Sequence, residues 1–155
     1  MKKLTVAIAA IVALTSSAVY AADHTGHGHD MKGNAAMGGA AHEEIVDGLK
    51  ATFTIQPMAD AMKAMGMAMP KGVKETHHIS LSLKDVKSGK PITEGDVKIK
   101  VQAPDKKEQS KDMQGMHGHF GADFEMAKKG KYGVMCKFQT KDGKVRSSKF
   151  WYSIK

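Results

Sequence analysis

THHISLSLKDVKSGKPITEGDVKIKVQA, residues 76 to 103, holds two alternating segments around a turn punctuated by Gly and Pro. In the first, Ile79, Leu81 and Leu83 alternate with Ser80, Ser82 and Lys84; in the second, Val97, Ile99 and Val101 alternate with Lys98 and Lys100. Successive side chains of a strand point to opposite faces, so each segment has one apolar face and one that water can wet. That is the pattern of an antiparallel sheet packed on one side only. The alternation predicts strands over 76–86 and 95–103.

The same reading extends outward to 49–56 (LKATFTIQ), 117–126 (HGHFGADFEM), 131–140 (KYGVMCKFQT) and 144–154 (KVRSSKFWYSI), with KDGK at 141–144 as a hairpin turn. Six or so short strands with few helical stretches imply an all-β, two-sheet antiparallel sandwich. Residues 57–72 interrupt the pattern as a Met-rich insert. HHISLSLKDVKSGKPITEGDVKIKVQAP, followed by MHGHFGADFEMAKKGKYGVMCKF, resembles the immunoglobulin-like domain of the YtkA-like and FixH-like families over about residues 76–140. The resemblance implies an immunoglobulin-like sandwich, exported or tethered to a membrane, in some members linked to copper handling. It brings no catalytic residues.

Lys2 and Lys3, the apolar run Leu4 to Leu14 and the small residues before Asp23 form a secretory signal peptide over 1–21, too short to span a membrane. Cleavage after Ala21 sends the chain to the periplasm or the exterior. Residues 22–44 are rich in Gly and His and nearly free of large aliphatic side chains, so they are expected to be a disordered tail, with the folded domain at 45–155. The chain is basic, with 24 Lys and Arg against 16 Asp and Glu, but Arg146 is its sole arginine. Planar, bidentate phosphate recognition favours arginine, so the lysines read as a solvated surface and nucleic acid is not a partner. A single cysteine excludes an internal disulfide, leaving stability to a packed core.

Three clusters carry soft or borderline metal donors. AMKAMGMAMPKG at 61–72 supplies Met62, Met65, Met67 and Met69. On a helix, Met58, Met62, Met65 and Met69 form a stripe, which reads either as core contact or as a thioether site for Cu(I). Gly66 and Pro70 oppose a continuous helix there. MQGMHGHF at 113–120 supplies Met113, Met116, His117 and His119. On a strand, His117, His119 and Asp123 share one face, with backbones of the two histidines about 6.6 Å apart. The pair is a metal chelate or two exposed polar residues near a turn. In THHISLSL, His77 continues the inward row of Ile79 and His78 the outward row of Ser80; His77 is the favoured ligand, with a structural histidine as the alternative.

At the processed terminus His24 would stand third, where the amine, two amides and the imidazole suit Cu(II) in a plane. Cys136 is followed by no His or Met, which argues against a blue-copper site, and its alternation with Tyr132, Val134 and Phe138 reads as a buried thiol. No nucleophile–base set or zinc-protease spacing is legible, so no enzyme is expected. These residues together point to an exported copper-binding protein that buffers the metal or delivers it, with an envelope metal exporter or a copper acceptor as partner. The alternative is a non-metal interaction domain in envelope complex assembly, its methionines forming an adaptable surface.

Overall fold

The computed structural model describes residues 39–155 except position 65. The expected signal peptide, residues 22–38 of the expected tail with His24, and Met65 lie outside the described residues. In chain order the elements are β1 (Ala40–Val46), β2 (Leu49–Pro57), α1 (Met58–Ala64), β3 (His77–Asp85), β4 (Pro91–Ile92), β5 (Asp96–Gln102), β6 (Glu108–Asp112), β7 (Gln114–Met116), β8 (His119–Phe124), β9 (Gly130–Gln139) and β10 (Val145–Ile154).

They build two antiparallel sheets. One runs β1-β2-β3-β8-β7, with β4 beside β3; the other runs β10-β9-β5-β6. From β2 onward this is the immunoglobulin-like order: a hairpin-paired start, a crossing to the second sheet, a return through β7 and β8, and a final β9–β10 hairpin. The corner before β9 carries the matching tyrosine device, in which the Tyr132 hydroxyl donates to the Lys128 carbonyl at 2.8 Å and accepts from the Lys128 amide at 3.0 Å.

The alternating positions meet between the sheets. Phe53, Ile79, Leu81, Leu83, Phe120 and Phe124 from one face pack on Val97, Ile99, Val101, Tyr132, Val134 and Phe138 from the other. Cys136 is part of this layer, and burial pushes its thiol pKa up to about 12, so it stays protonated and inert.

Three differences from the sequence expectation have physical causes. Strand β1 begins at Ala40, inside the stretch expected to be tail, because His42 stacks on Phe150 with ring centroids 4.6 Å apart and planes 12° apart. The following Asp47–Gly48 pair, both at positive φ, makes the tight turn into β2. Strand β6 was not expected, since EQSKD has no apolar face to alternate; it is an edge strand held by its ladder to β5. Strand β8 begins at His119 and not at 117, because His117 and Gly118 take positive φ of 45° and 86° and form the two-residue turn from β7.

The insert also departs from a continuous stripe. The Gly66 amide donates to the Lys63 carbonyl at 3.0 Å and the Met67 amide to the Met62 carbonyl at 2.9 Å, with Gly66 at positive φ. This is a Schellman stop, so Met67 and Met69 lie beyond the helix. Among the described residues no helix is long and apolar enough to cross a membrane.

At one end of the sandwich Arg146 is buried on β10, donating to both carboxylate oxygens of Asp142, to the Thr140 hydroxyl and to the Asp47 carbonyl. It ties the β9–β10 loop to the β1–β2 turn. Its guanidinium holds the Asp142 carboxyl well below the usual carboxylate range. A depressed folded-state pKa gives stability that is present above the unfolded value, about pH 4, and lost as pH falls through the folded one. Asp142→Asn is therefore expected to lower the thermal midpoint by several degrees at pH 7. The gap to the wild type should narrow below about pH 4. A gap that is constant from pH 7 to pH 2 would show that the ion pair does not carry the stabilisation.

Candidate metal centre

Among the described residues, candidate donors lie close together on the outer face of the larger sheet. Alternation on β3 sends Ile79, Leu81 and Leu83 inward and leaves His78, Ser80 and Ser82 outside. On β8 it sends Phe120 and Phe124 inward and leaves His119, Gly121 and Asp123 outside. The β3–β8 register pairs His78 with Asp123 and Ser80 with Gly121. His119 then lies on the outer row beyond Gly121, and its partner across the β7–β8 hairpin is Met116.

The side chains lean together over Gly121. A methyl group built on Gly121 would stand 2.8 Å from both Cε1 and Nε2 of His78 and 3.3 Å from the terminal Cε of Met116. His78 and His119 meet edge to face, with ring centroids 6.5 Å apart and planes at 87°. Two imidazoles bound to one ion at about 2.0–2.1 Å have centroids roughly 5 Å apart at a tetrahedral angle and roughly 6.4 Å apart when linear. The observed separation lies just beyond the linear limit, so the two rings must close by about 1 Å to share an ion with a third donor. Gly121 makes the room, since any β-carbon there would occupy it.

The orientation of His78 is fixed from behind. Its Nδ1 lies 2.6 Å from Oδ1 of Asp123, so with Nδ1 protonated the ring donates to the carboxylate and presents the Nε2 lone pair over Gly121. Carboxylate–histidine–metal relays use this arrangement to set the tautomer and raise ligand basicity. Both residues are partly exposed, with side-chain accessibilities of 25% for His78 and 45% for Asp123, so an ion can approach from solvent. Two imidazoles and a thioether form a soft, uncharged donor set that suits Cu(I).

The remaining sequence candidates are elsewhere. His77 falls on the inward row at the base of the insert, with Nδ1 2.9 Å from the Thr76 hydroxyl. Burial lowers its pKa, with Asp60 of α1 pulling the other way. It lies on the face of β3 opposite His78 and so is not brought together with His119. His117 is exposed at the hairpin tip and does not share a strand face with His119, because the αL turn takes it out of the alternation. Met113 is buried in the core at the crossing from β6 to β7, its amide donating to the Val97 carbonyl. Met62 is half-buried on α1, Met69 half-buried beyond it, and Met67 exposed. The described methionines of the insert are not brought together with His78 and His119 in one cluster.

His119 and Asp123 share an outward row, as the alternation predicts, whereas the proximity of His78 to them and the space at Gly121 have no local sequence signature. Outward phase with Ser80 was the available signal for His78. Its partners could be known only from the β3–β8 pairing, across 45 residues. Among the described residues no group of three or more His, Cys, Asp or Glu side chains is arranged to hold an ion, so a site here depends on the thioether as third donor.

No protein-family model matches the chain, and no curated protein matches it. Solved structures do share its fold. A copper-bound variant of FetP from uropathogenic Escherichia coli strain F11 superposes with a TM-score of 0.57 at 15% identity, covering 74% of this chain and 94% of that one. FetP of the same strain, as isolated after expression in the periplasm, gives 0.52 at 17% identity with 74% and 94% covered. A DUF4426 family protein from Pseudomonas aeruginosa PAO1 gives 0.52 at 16% identity with 73% and 93% covered. At these identities the likeness is one of fold, an all-β sandwich that this chain shares with FetP and the DUF4426 protein.

Proposed function

We propose that this chain is an exported copper-binding protein that takes up Cu(I) through His78, His119 and Met116 and holds it or passes it on. The observation that carries the reading is the meeting of the His78 ring and the Met116 thioether over Gly121, with His119 edge-on to His78 and His78 oriented by Asp123. The amino-terminal signal pattern and the copper bound by a protein of the same fold support it. So does the resemblance to YtkA-like and FixH-like domains, some of which handle copper. Copper is here a cargo, and a binding role without catalysis is proposed. A half-open site on a sheet face, with a fourth position free, suits handing the ion to an exporter or acceptor protein. The tail from His24 onward is proposed as a separate Cu(II) site and lies outside the described residues.

Competition titration of the exported protein with a Cu(I) chelator tests the assignment. One equivalent should bind tightly, and His78→Ala, His119→Ala and Met116→Leu should each remove most of that affinity while leaving the thermal midpoint nearly unchanged, since all three side chains lie outside the core. The combined Met67→Leu and Met69→Leu variant should bind like the wild type. The opposite ranking would move the site to the insert.

The gap and the supporting carboxylate give a second expectation. Gly121→Ala should displace the His78 ring and weaken Cu(I) binding, and Asp123→Ala should weaken it by about 10- to 100-fold through loss of the oriented tautomer. Undiminished affinity in both variants would exclude the site over Gly121.

A further inference from the structure

The outer face of the smaller sheet is built differently. Its pairings set Lys149, Met135, Lys100 and Ser110 in one row across the four strands, and Ser147, Lys137, Lys98 and Asp112 in the next. A shallow hollow of about 510 Å³ lies over these rows. On the β5–β6 side the charge is balanced, since Lys98 pairs with Asp112 at 3.5 Å and Lys100 with Glu108 at 3.1 Å. On the β9–β10 side the hollow also takes in Glu44 of β1, whose carboxylate faces His42 at 3.4 Å and pairs with no lysine. Among the described residues Lys131, Lys137 and Lys149 have no carboxylate partner.

The same half of the face carries Trp151, 53% exposed. Its indole lies across Gly133 of β9, where an added β-carbon would come within 3.0 Å of Cζ3. The Lys131 and Lys149 ammonium groups stand 5.3 and 5.8 Å from its ring centroid. A large apolar ring is thus held on the surface inside a patch of uncompensated positive charge. Burial does not explain it, and the ring packs only on its own sheet.

We propose that this face docks on an anionic lipid bilayer, with Trp151 at the level of the headgroups and Lys131, Lys137 and Lys149 against their phosphates. Tryptophan is enriched at membrane–water interfaces because its ring is amphipathic, and lysines near an anionic surface add attraction that falls off within a Debye length. The charges are all lysine, which acts as a mobile point charge and needs no fixed bidentate partner, as a fluid array of headgroups demands. Such docking leaves the opposite sheet, with His78 and His119, turned to the aqueous side.

Trp151 is the only tryptophan in the chain, so its emission reports this face alone. The exported protein, purified as the cell processes it, is mixed with vesicles of phosphatidylglycerol and phosphatidylcholine and with vesicles of phosphatidylcholine alone. The expected result is a blue shift and co-sedimentation with the anionic vesicles only, reversed by high salt. Partitioning of the Lys131→Gln, Lys137→Gln, Lys149→Gln variant should be on the order of 100-fold weaker. No binding at physiological salt, or binding without an emission shift, overturns the proposal. So does binding equal in the triple variant, which would assign attachment to the amino-terminal region. A shift on adding polyglutamate but not anionic vesicles would make the face a dock for an acidic protein and remove the lipid assignment.

Discussion

Ile79, Leu81 and Leu83 are each 1% exposed or less, and their burial fixes the register of β3 against both neighbours. Strand side chains alternate with a period of two, so a slip by one residue would turn all three into water and bring His78, Ser80 and Ser82 into the core. Burying a side chain of this size is worth about 1.5–3 kcal/mol. The register is therefore held by several kcal/mol of apolar burial, and the outward position of His78 follows from it. The imidazole is where it is because of the residues on either side of it.

A parallel constraint acts on β8. Phe120 and Phe124 are buried opposite Leu81 and His77, which leaves His119, Gly121 and Asp123 outward. With both registers fixed, His78 is opposite Asp123 and leans over Gly121 towards His119. The proposed donors need no folding energy of their own, because the core has already brought their backbones together. Substitutions at the donors should consequently separate binding from stability more cleanly than substitutions on the inward rows.

This explains how far the sequence could be read. The six strands with an apolar alternating face were legible, since periodicity records which side chains meet the core. Strands β6 and β7 were not, because EQSKD and QGM have no such face; β6 is held by its ladder to β5 and by the Gln109 amide, which bonds the Glu125 backbone in both directions. Strand β1 was hidden by the Gly- and His-rich composition around it, although Asp47–Gly48 marks a hairpin turn. For the candidate site, the sequence offers donor-bearing clusters but not which of them the fold brings together. His117 and His119 are close in sequence and are separated by a turn, whereas His78 and Asp123 are 45 residues apart and form a hydrogen bond. Local spacing cannot report a contact created by the return of β8 to the first sheet.

The distribution of sulfur follows the same division between the faces. Cys136 would be the strongest soft ligand in the chain, but a thiol must lose its proton to bind metal, and burial raises its pKa so far that it does not. It is also enclosed by the core, away from oxidants and other thiols. A thioether such as that of the half-buried Met116 needs no deprotonation to bind a soft metal and forms no disulfide, so it can stand on a sheet face without being oxidised to a cross-link. With the thiol inside and Met116 on the outer face, the proposed site would select for a soft ion through neutral donors, with the orientation of His78 supplied by its hydrogen bond to Asp123.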